Sequence, residues 1–268
     1  MRSVERAAVV THGRTRDVSA AVERLRRAAE RAGVELTFEE AAAPADVAIV
    51  LGGDGTMLRA LTRFLDGGTP VIGVNFGRVG FLTAIQAAEL ETGLARVFRG
   101  EFRTVELPTL EVELEGRRYV AVNDTVVTSG TVGRMIELRY SVGGEDLGVQ
   151  PCDGLICATP PGSTAYNLSN GGPVLVWGLD AMVVTFASPH TLHARPLVVG
   201  RGVEIVIENR SPDVPAAVLV DGHRLADLPT GAEARVRLAP ERSRLAVLPE
   251  QTFFTRYGEV FGPVGNGR

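Results

Sequence analysis

Asp54 stands among glycines in "LGGDGTMLRA" (residues 51–60), and that company limits what its carboxylate is for. Gly52, Gly53 and Gly55 let a bulky ligand approach the backbone closely. Thr56 opens a helical-looking segment, so amide N–H groups at a helix N-terminus would face the loop and suit phosphate. A carboxylate that only gripped phosphate would repel it. Asp54 fits instead the task of orienting Mg²⁺ or of drawing a proton from an attacking hydroxyl. A tight turn with Asp54 capping the helix is the plain alternative. Neither common phosphate loop is present: G-x-x-x-x-G-K-[ST] is absent, and no G-x-G-x-x-G sits at the first strand-to-helix turn.

Two other polar pieces follow. "NFGRVGFLT" (75–83) comes after the next apolar run. Both loops therefore belong at the carboxyl ends of neighbouring parallel strands, where open α/β sheets bind ligands; a plain glycine turn is the alternative for the second. "DGLICATPPGSTAYNLSNGGP" (153–173) leads from a buried strand into hydroxyls, a tyrosine, amides and glycines, a mixture that suits a nucleoside. The alternative is a polar loop with a short capped helix, in which Asp153 is a turn residue and Tyr166 a core aromatic.

The elements that must position these loops change character along the chain. Over residues 1–100, "RAAVVTH", "VELTF", "DVAIVLG" and "PVIGVNFG" read as strands. They alternate with helices over "DVSAAVERLRRAAERAG", about Thr56 to Leu65, and "ELETGLARVFRG". That alternation predicts an α/β N-terminal domain with a parallel sheet. Over 101–249, short β-type runs such as "TLEVELEG", "GLICATP" and "VEIVIEN" predict a mostly-β, β-sandwich-like C-terminal domain. The tail 250–268 carries aromatics at near-helical spacing in "QTFFTRYGEVFG". It reads either as packing back onto the first domain or as an ordinary aromatic edge of the core.

Composition excludes several classes. The chain has 268 residues and a formal net charge of -4, with no basic stripe to suggest nucleic acid. No apolar run approaches the roughly 20 residues needed to span a bilayer, and the start lacks the long apolar core of a secretory signal. A cytoplasmic protein without membrane or nucleic-acid partners is expected. No lysine occurs, which rules out Schiff-base chemistry and a Walker lysine. Cys152 and Cys157 read as small buried strand residues.

Taken in order, "GGDGT", "NFGRVGFL", Asn123–Asp124, "DGLICATPPGSTAY", "GGP", "PHTLHARPLV" and "VDG" (220–222) resemble the NAD kinase family. "GGDGT" is shared with lipid kinases and phosphofructokinase-type enzymes; "DGLICATPPGSTAY" with "PHTLHARPL" is much more specific. The resemblance implies transfer of a phosphoryl group from ATP, with Mg²⁺, to the 2′-hydroxyl of the adenosine ribose of NAD, in a homodimer or homotetramer. It implies that Asp54 is the general base and that Gly52, Gly53, Gly55 and Thr56 hold the triphosphate. Arg59 would touch phosphate, and Asn75 opens the second loop of the site. Phe81 would flank the adenine, and Asn123, beside Asp124, would hold the ribose hydroxyls. Asp153 would face the nicotinamide side of a neighbouring subunit's substrate. Thr164, Ala165, Tyr166 and Asn167, continuing to Ser169, would line the adenine pocket. Arg134 falls where the family often has a basic contact, and His223 lies beside the pocket.

Five positions depart from the pattern: Asp124 for glutamate, Pro151 for arginine, Pro161 for threonine or serine, Asn170 for alanine and His223 for glutamine. None touches the Asp54 loop. They fit drift within the family, or a changed acceptor such as NADH or another nucleoside-containing metabolite. A catalytically silent nucleotide-binding regulator would have no need of the base. His190 and His193 sit between prolines and read as turn residues; Trp177 reads as core or subunit contact.

Overall fold

The computed structural model describes residues 3–11, 16–38, 44–76 and 80–262; His12 and the 77–79 stretch of the second loop lie outside them. The chain divides into two compact units, Met1–Glu106 with Ser243–Arg268, and Leu107–Arg242.

The first unit runs β1 (Arg6–Thr11), α1 (Arg16–Ala32), β2 (Glu35–Thr37), β3 (Val47–Leu51), α2 (Asp54–Arg63), β4 (Val71–Asn75), β5 (Ile85–Gln86) and α3 (Leu90–Phe98). The strands pair in the order β2-β1-β3-β4-β5, and every pair is parallel. β3 and β4 are buried along their whole length, as strands covered on both faces must be. Ile72 and Val74 face the cluster made with Leu25 of α1 and Leu94 of α3. Gly73, between them, points the other way, onto Met57 of α2. α1 closes on Gly33 at φ +69, the left-handed position a helix end favours. α2 begins two residues earlier than its sequence pattern suggests, because Gly53 rather than Thr56 makes the turn into it.

β6 (Arg103–Leu114) leads into the second unit, which continues β7 (Arg117–Ala121), β8 (Asp124–Ser129), β9 (Ile136–Val142), β10 (Glu145–Cys152), β11 (Gly154–Ala158), α4 (Tyr166–Ser169), β12 (Ala181–Ala187), β13 (Leu197–Gly200), β14 (Ile205–Asn209), β15 (Ala216–Val220) and β16 (His223–Leu228). β17 (Glu233–Val247) leads back into the first unit, where Leu245 pairs parallel with Val71 of β4, and α5 (Phe253–Phe261) follows. Two antiparallel layers form the second unit. One is β13-β12-β11-β8-β15-β16; the other contains β10-β9-β14-β17 with β6 and β7. Their inner faces share one core, in which Val127, Leu155 and Val184 of the first layer meet Leu138, Ile207 and Val236 of the second. The alternation of buried and half-buried residues along β14 is the signature of such a sandwich. Cys152 and Cys157 are unpaired and fully buried, and burial pushes both thiols up to about 12.

Candidate functional site

Asp54 is the first residue of α2, yet its carboxylate does not cap that helix: Gly53 occupies the cap with no side-chain bond. Oδ2 accepts from the Phe81 N–H at 2.7 Å and Oδ1 from the Leu82 N–H at 3.1 Å. The loop after β3 is thus clasped to the loop after β4 through a single carboxylate. Gly80 permits it, because a Cβ there would collide with Asp54 Oδ1. Gly52 is also tightly packed, its Cβ position lying 2.6 Å from Thr56 Oγ1. At Gly53 and Gly55, by contrast, an added Cβ would meet nothing within 4 Å among the described residues. The protein's own packing does not require glycine there. Arg59 is exposed on α2, and Asn75 is buried at the end of β4. Phe81, expected to flank an adenine, is only 6% exposed and gives its ring to Phe253 and Phe261, at centroid distances of 6.0 and 5.3 Å.

In the second unit the polar groups gather at one end of β8. Asp221, at φ +48, accepts from the backbone N–H groups of Val122 (2.9 Å), Asn123 (2.7 Å) and Asp124 (3.2 Å). Its own N–H returns to the Asp124 carbonyl at 2.9 Å. The Thr159 hydroxyl donates to the Val122 carbonyl at 2.6 Å, and a Cβ on Gly162 would collide with the Asn123 carbonyl. This knot leaves Asn123 Oδ1 buried with no hydrogen-bond partner among the described residues, an acceptor waiting for a donor. His223 is exposed, with Nδ1 3.0 Å from the Asp221 carbonyl oxygen. "VDG" signalled Asp221 within the family pattern, but its task of organising 122–124 is visible only in three dimensions.

The third loop spends many of its polar groups on itself. Ser163 Oγ donates to the Pro160 carbonyl at 2.6 Å, and Thr164 Oγ1 to that of Pro161 at 2.9 Å. Asn167 is fully buried. Its Nδ2 donates to Ser163 and Pro173 carbonyls (2.9 and 3.1 Å), while Oδ1 accepts from Thr185 Oγ1 at 2.6 Å. Asn167 thus braces the loop from within, with both of its amide donors spent on carbonyls. Tyr166 is 46% exposed, which removes it from the core, and Ser169 is exposed beside it. Thr164 and Ala165 are half-buried.

Two family models account for most of the chain: the ATP-NAD kinase N-terminal domain matches residues 8–102 and the C-terminal domain 122–248. The chain belongs to the NAD kinase family. Similar family members include the NAD kinase of Gemmatimonas aurantiaca, 42% identical over 82% of this chain and 78% of that protein. Another is the NAD kinase of Heliobacterium modesticaldum, 42% identical over 78% of this chain and 76% of that protein. The crystal structure of an NAD kinase from Archaeoglobus fulgidus in complex with ATP superposes with a TM-score of 0.80 at 27% identity, covering 96% of this chain and 99% of that one. Yeast NADH kinase complexed with NADH shares the fold, with a TM-score of 0.85 at 22% identity over 99% and 89% of the two chains.

Against this NAD kinase frame, the remaining predicted positions separate. Asn123 lies just before β8 and Arg134 in the exposed turn after it; Asp153, also exposed, gives its carbonyl to the Ser129 N–H at 3.1 Å at that same far end. The two ends of β8 are about 17 Å apart at strand rise. Asp124 is 6% exposed, and burial together with the nearby Asp221 carboxylate pushes it up to about 7. A carboxylate raised in this way keeps its proton in the folded state after the unfolded chain has lost it. Stability is then fully present below the unfolded value near 3.8 and is lost as pH rises to about 7. Asp124→Asn is accordingly expected to raise the melting temperature at pH 8 by several degrees, with the gain vanishing towards pH 4. Thermal melts of both chains across that range check it.

Proposed function

We infer that this chain transfers the γ-phosphoryl group of ATP to the 2′-hydroxyl of the adenosine ribose of NAD, giving NADP. The observation that carries the reading is the Asp54 loop, a carboxylate clasped between two strand-end loops in a chain of this family. A carboxylate has about four acceptor positions, and the two backbone N–H groups use two of them, so lone pairs remain to take the hydroxyl proton. Open space over Gly53 and Gly55, at the N-terminus of α2, suits close approach of phosphate oxygens. Mg²⁺ would enter as part of the MgATP substrate and neutralise charge on the phosphates, with Asp54 as the neighbouring carboxylate.

On this reading the unpartnered Oδ1 of Asn123 accepts from a ribose hydroxyl, and the exposed ring of Tyr166 offers a stacking face to adenine. Thr164, Ala165 and Ser169 line the same pocket, with His223 at its rim. Asp153 and Arg134, at the far end of β8, serve the substrate of a neighbouring copy in a homodimer or homotetramer. Exposed Leu147 and Val149 on β10 and Leu197 and Val198 on β13 support such an assembly. We read the chain as cytoplasmic; among the described residues no helix is long and apolar enough to cross a membrane.

The test is an incubation with ATP, Mg²⁺ and NAD, followed with an NADP-specific dehydrogenase. NADP should form, and NAD should be preferred over NADH as acceptor. Protein that binds ATP yet makes no NADP would overturn the reading, and faster turnover of NADH would move the acceptor.

A further inference from the structure

Helix α5 carries no group assigned to the reaction, but its contacts converge on the segment that grips Asp54. We propose that α5 is the positioning element for the Asp54 carboxylate, acting through residues 80–84 with Arg256 as its anchor; the proposal rests on the reading of Asp54 as base.

Seen from Asp54, residues 80–82 are a cradle: two backbone N–H groups directed at the carboxylate, with Gly80 packed against it. Seen from the other side, the same stretch is held by β4, whose Gly73 carbonyl accepts from the Ala84 N–H at 2.9 Å, and by α5 with the residue before its cap. The Phe81 ring lies against Phe253 and Phe261. Arg256 Nη2 donates to the Thr83 carbonyl, and Gln251 Nε2 donates to the Ala84 carbonyl. Arg256 is only 4% exposed. Burying a guanidinium is costly unless its donors are used. Its other recorded partner, Glu259 at 2.7 Å, is an exposed side chain of the same helix, so the contact that reaches beyond α5 is the one to Thr83.

The helix is itself held in register at its start. Thr252 Oγ1 accepts from the Thr255 N–H at 3.1 Å, and Thr255 Oγ1 accepts from the Thr252 N–H at 2.8 Å. That reciprocal cap fixes which turn presents Arg256 and which presents Phe253. Arg103 ties the Gln251 carbonyl from β6, and Arg96 of α3 pairs with Glu250 at 2.6 Å. A rigid helix thus backs a short irregular segment whose amides hold the carboxylate. A displacement on the order of 1 Å at a reacting group can cost about a hundredfold in rate.

Two readouts test this. In Arg256→Gln, hydrogen exchange of the Phe81 and Leu82 amides should speed up by about tenfold. In the same variant kcat should fall about tenfold or more, with KM for ATP within about twofold. Arg256→Lys restores one donor towards Thr83 and should recover most of the loss, whereas Glu259→Gln, which removes only the exposed partner, should leave kcat unchanged. Combined with Asp54→Asn, Arg256→Gln should add no further loss, because it acts through that carboxylate. Unchanged amide exchange, or losses that multiply in the double variant, would overturn the proposal. If Arg256→Gln does not fold, Gln251→Met removes the Ala84 bond, along with the long 3.3 Å bond from the Leu248 N–H to Oε1, and carries the same readouts. If Asp54→Asn itself keeps full turnover, the base assignment falls, and amide exchange alone decides whether α5 holds the cradle.

Discussion

Asp54→Asn is expected to fold and to lose about 10²–10⁴ of kcat, the range that a positioned general base contributes. Two roles compete at this residue, and magnitudes separate them. If the carboxylate served only to clasp the loops, asparagine would still accept one N–H through its oxygen and would turn its amide towards the other. That exchange costs about 1–3 kcal/mol of stability and leaves turnover near normal. If it is the base, stability falls by the same modest amount and kcat collapses, because the amide takes no proton at neutral pH. Measuring kcat and the urea midpoint on one preparation distinguishes the cases. Near-normal turnover with a lowered midpoint would make Asp54 a structural clasp.

Asp221→Ala is expected to destabilise the chain by about 3–5 kcal/mol and to raise KM for NAD. Three backbone N–H groups lose their acceptor at once, and each unsatisfied buried group costs about 1–3 kcal/mol, partly recovered where water reaches it. Alanine at φ +48 adds roughly 1 kcal/mol, a strain that aspartate and asparagine tolerate better. Asp221→Asn should therefore fall between the two, keeping the backbone conformation and one accepting oxygen. The KM effect follows if Asn123 holds the ribose, since its segment would lose the anchor that sets its position. A loss below about 1 kcal/mol by denaturant titration would show that other groups take over the three amides.

Much of the architecture could be read from local pattern. The apolar run "DVAIVL" followed by glycines placed the Asp54 loop at a strand's carboxyl end, and β3 ends at Leu51 as that pattern requires. The switch from strand–helix alternation to short β runs separated the parallel sheet from the two antiparallel layers. Such features are legible because burial of one face repeats every 2 or 3.6 residues along the chain itself. Within the third loop that signal fails. Asn167 and Tyr166 are neighbours in a helix of four residues, too short to show a period, and one is wholly buried while the other is 46% exposed.

What the tertiary structure alone decided is which backbone groups the carboxylates and α5 hold. Asp54 takes amides 27 and 28 residues away, Asp221 takes amides 97 to 99 away, and Arg256 reaches a carbonyl 173 away. Every residue except proline offers an amide N–H, and every residue a carbonyl, so neither partner leaves a mark in the sequence. By itself the sequence determined the chemistry available, a carboxylate in bare backbone beside a helix start. Only the packing of α5 and the turn at Asp221 determined how those groups are held, because such contacts are chosen by geometry rather than by side-chain type.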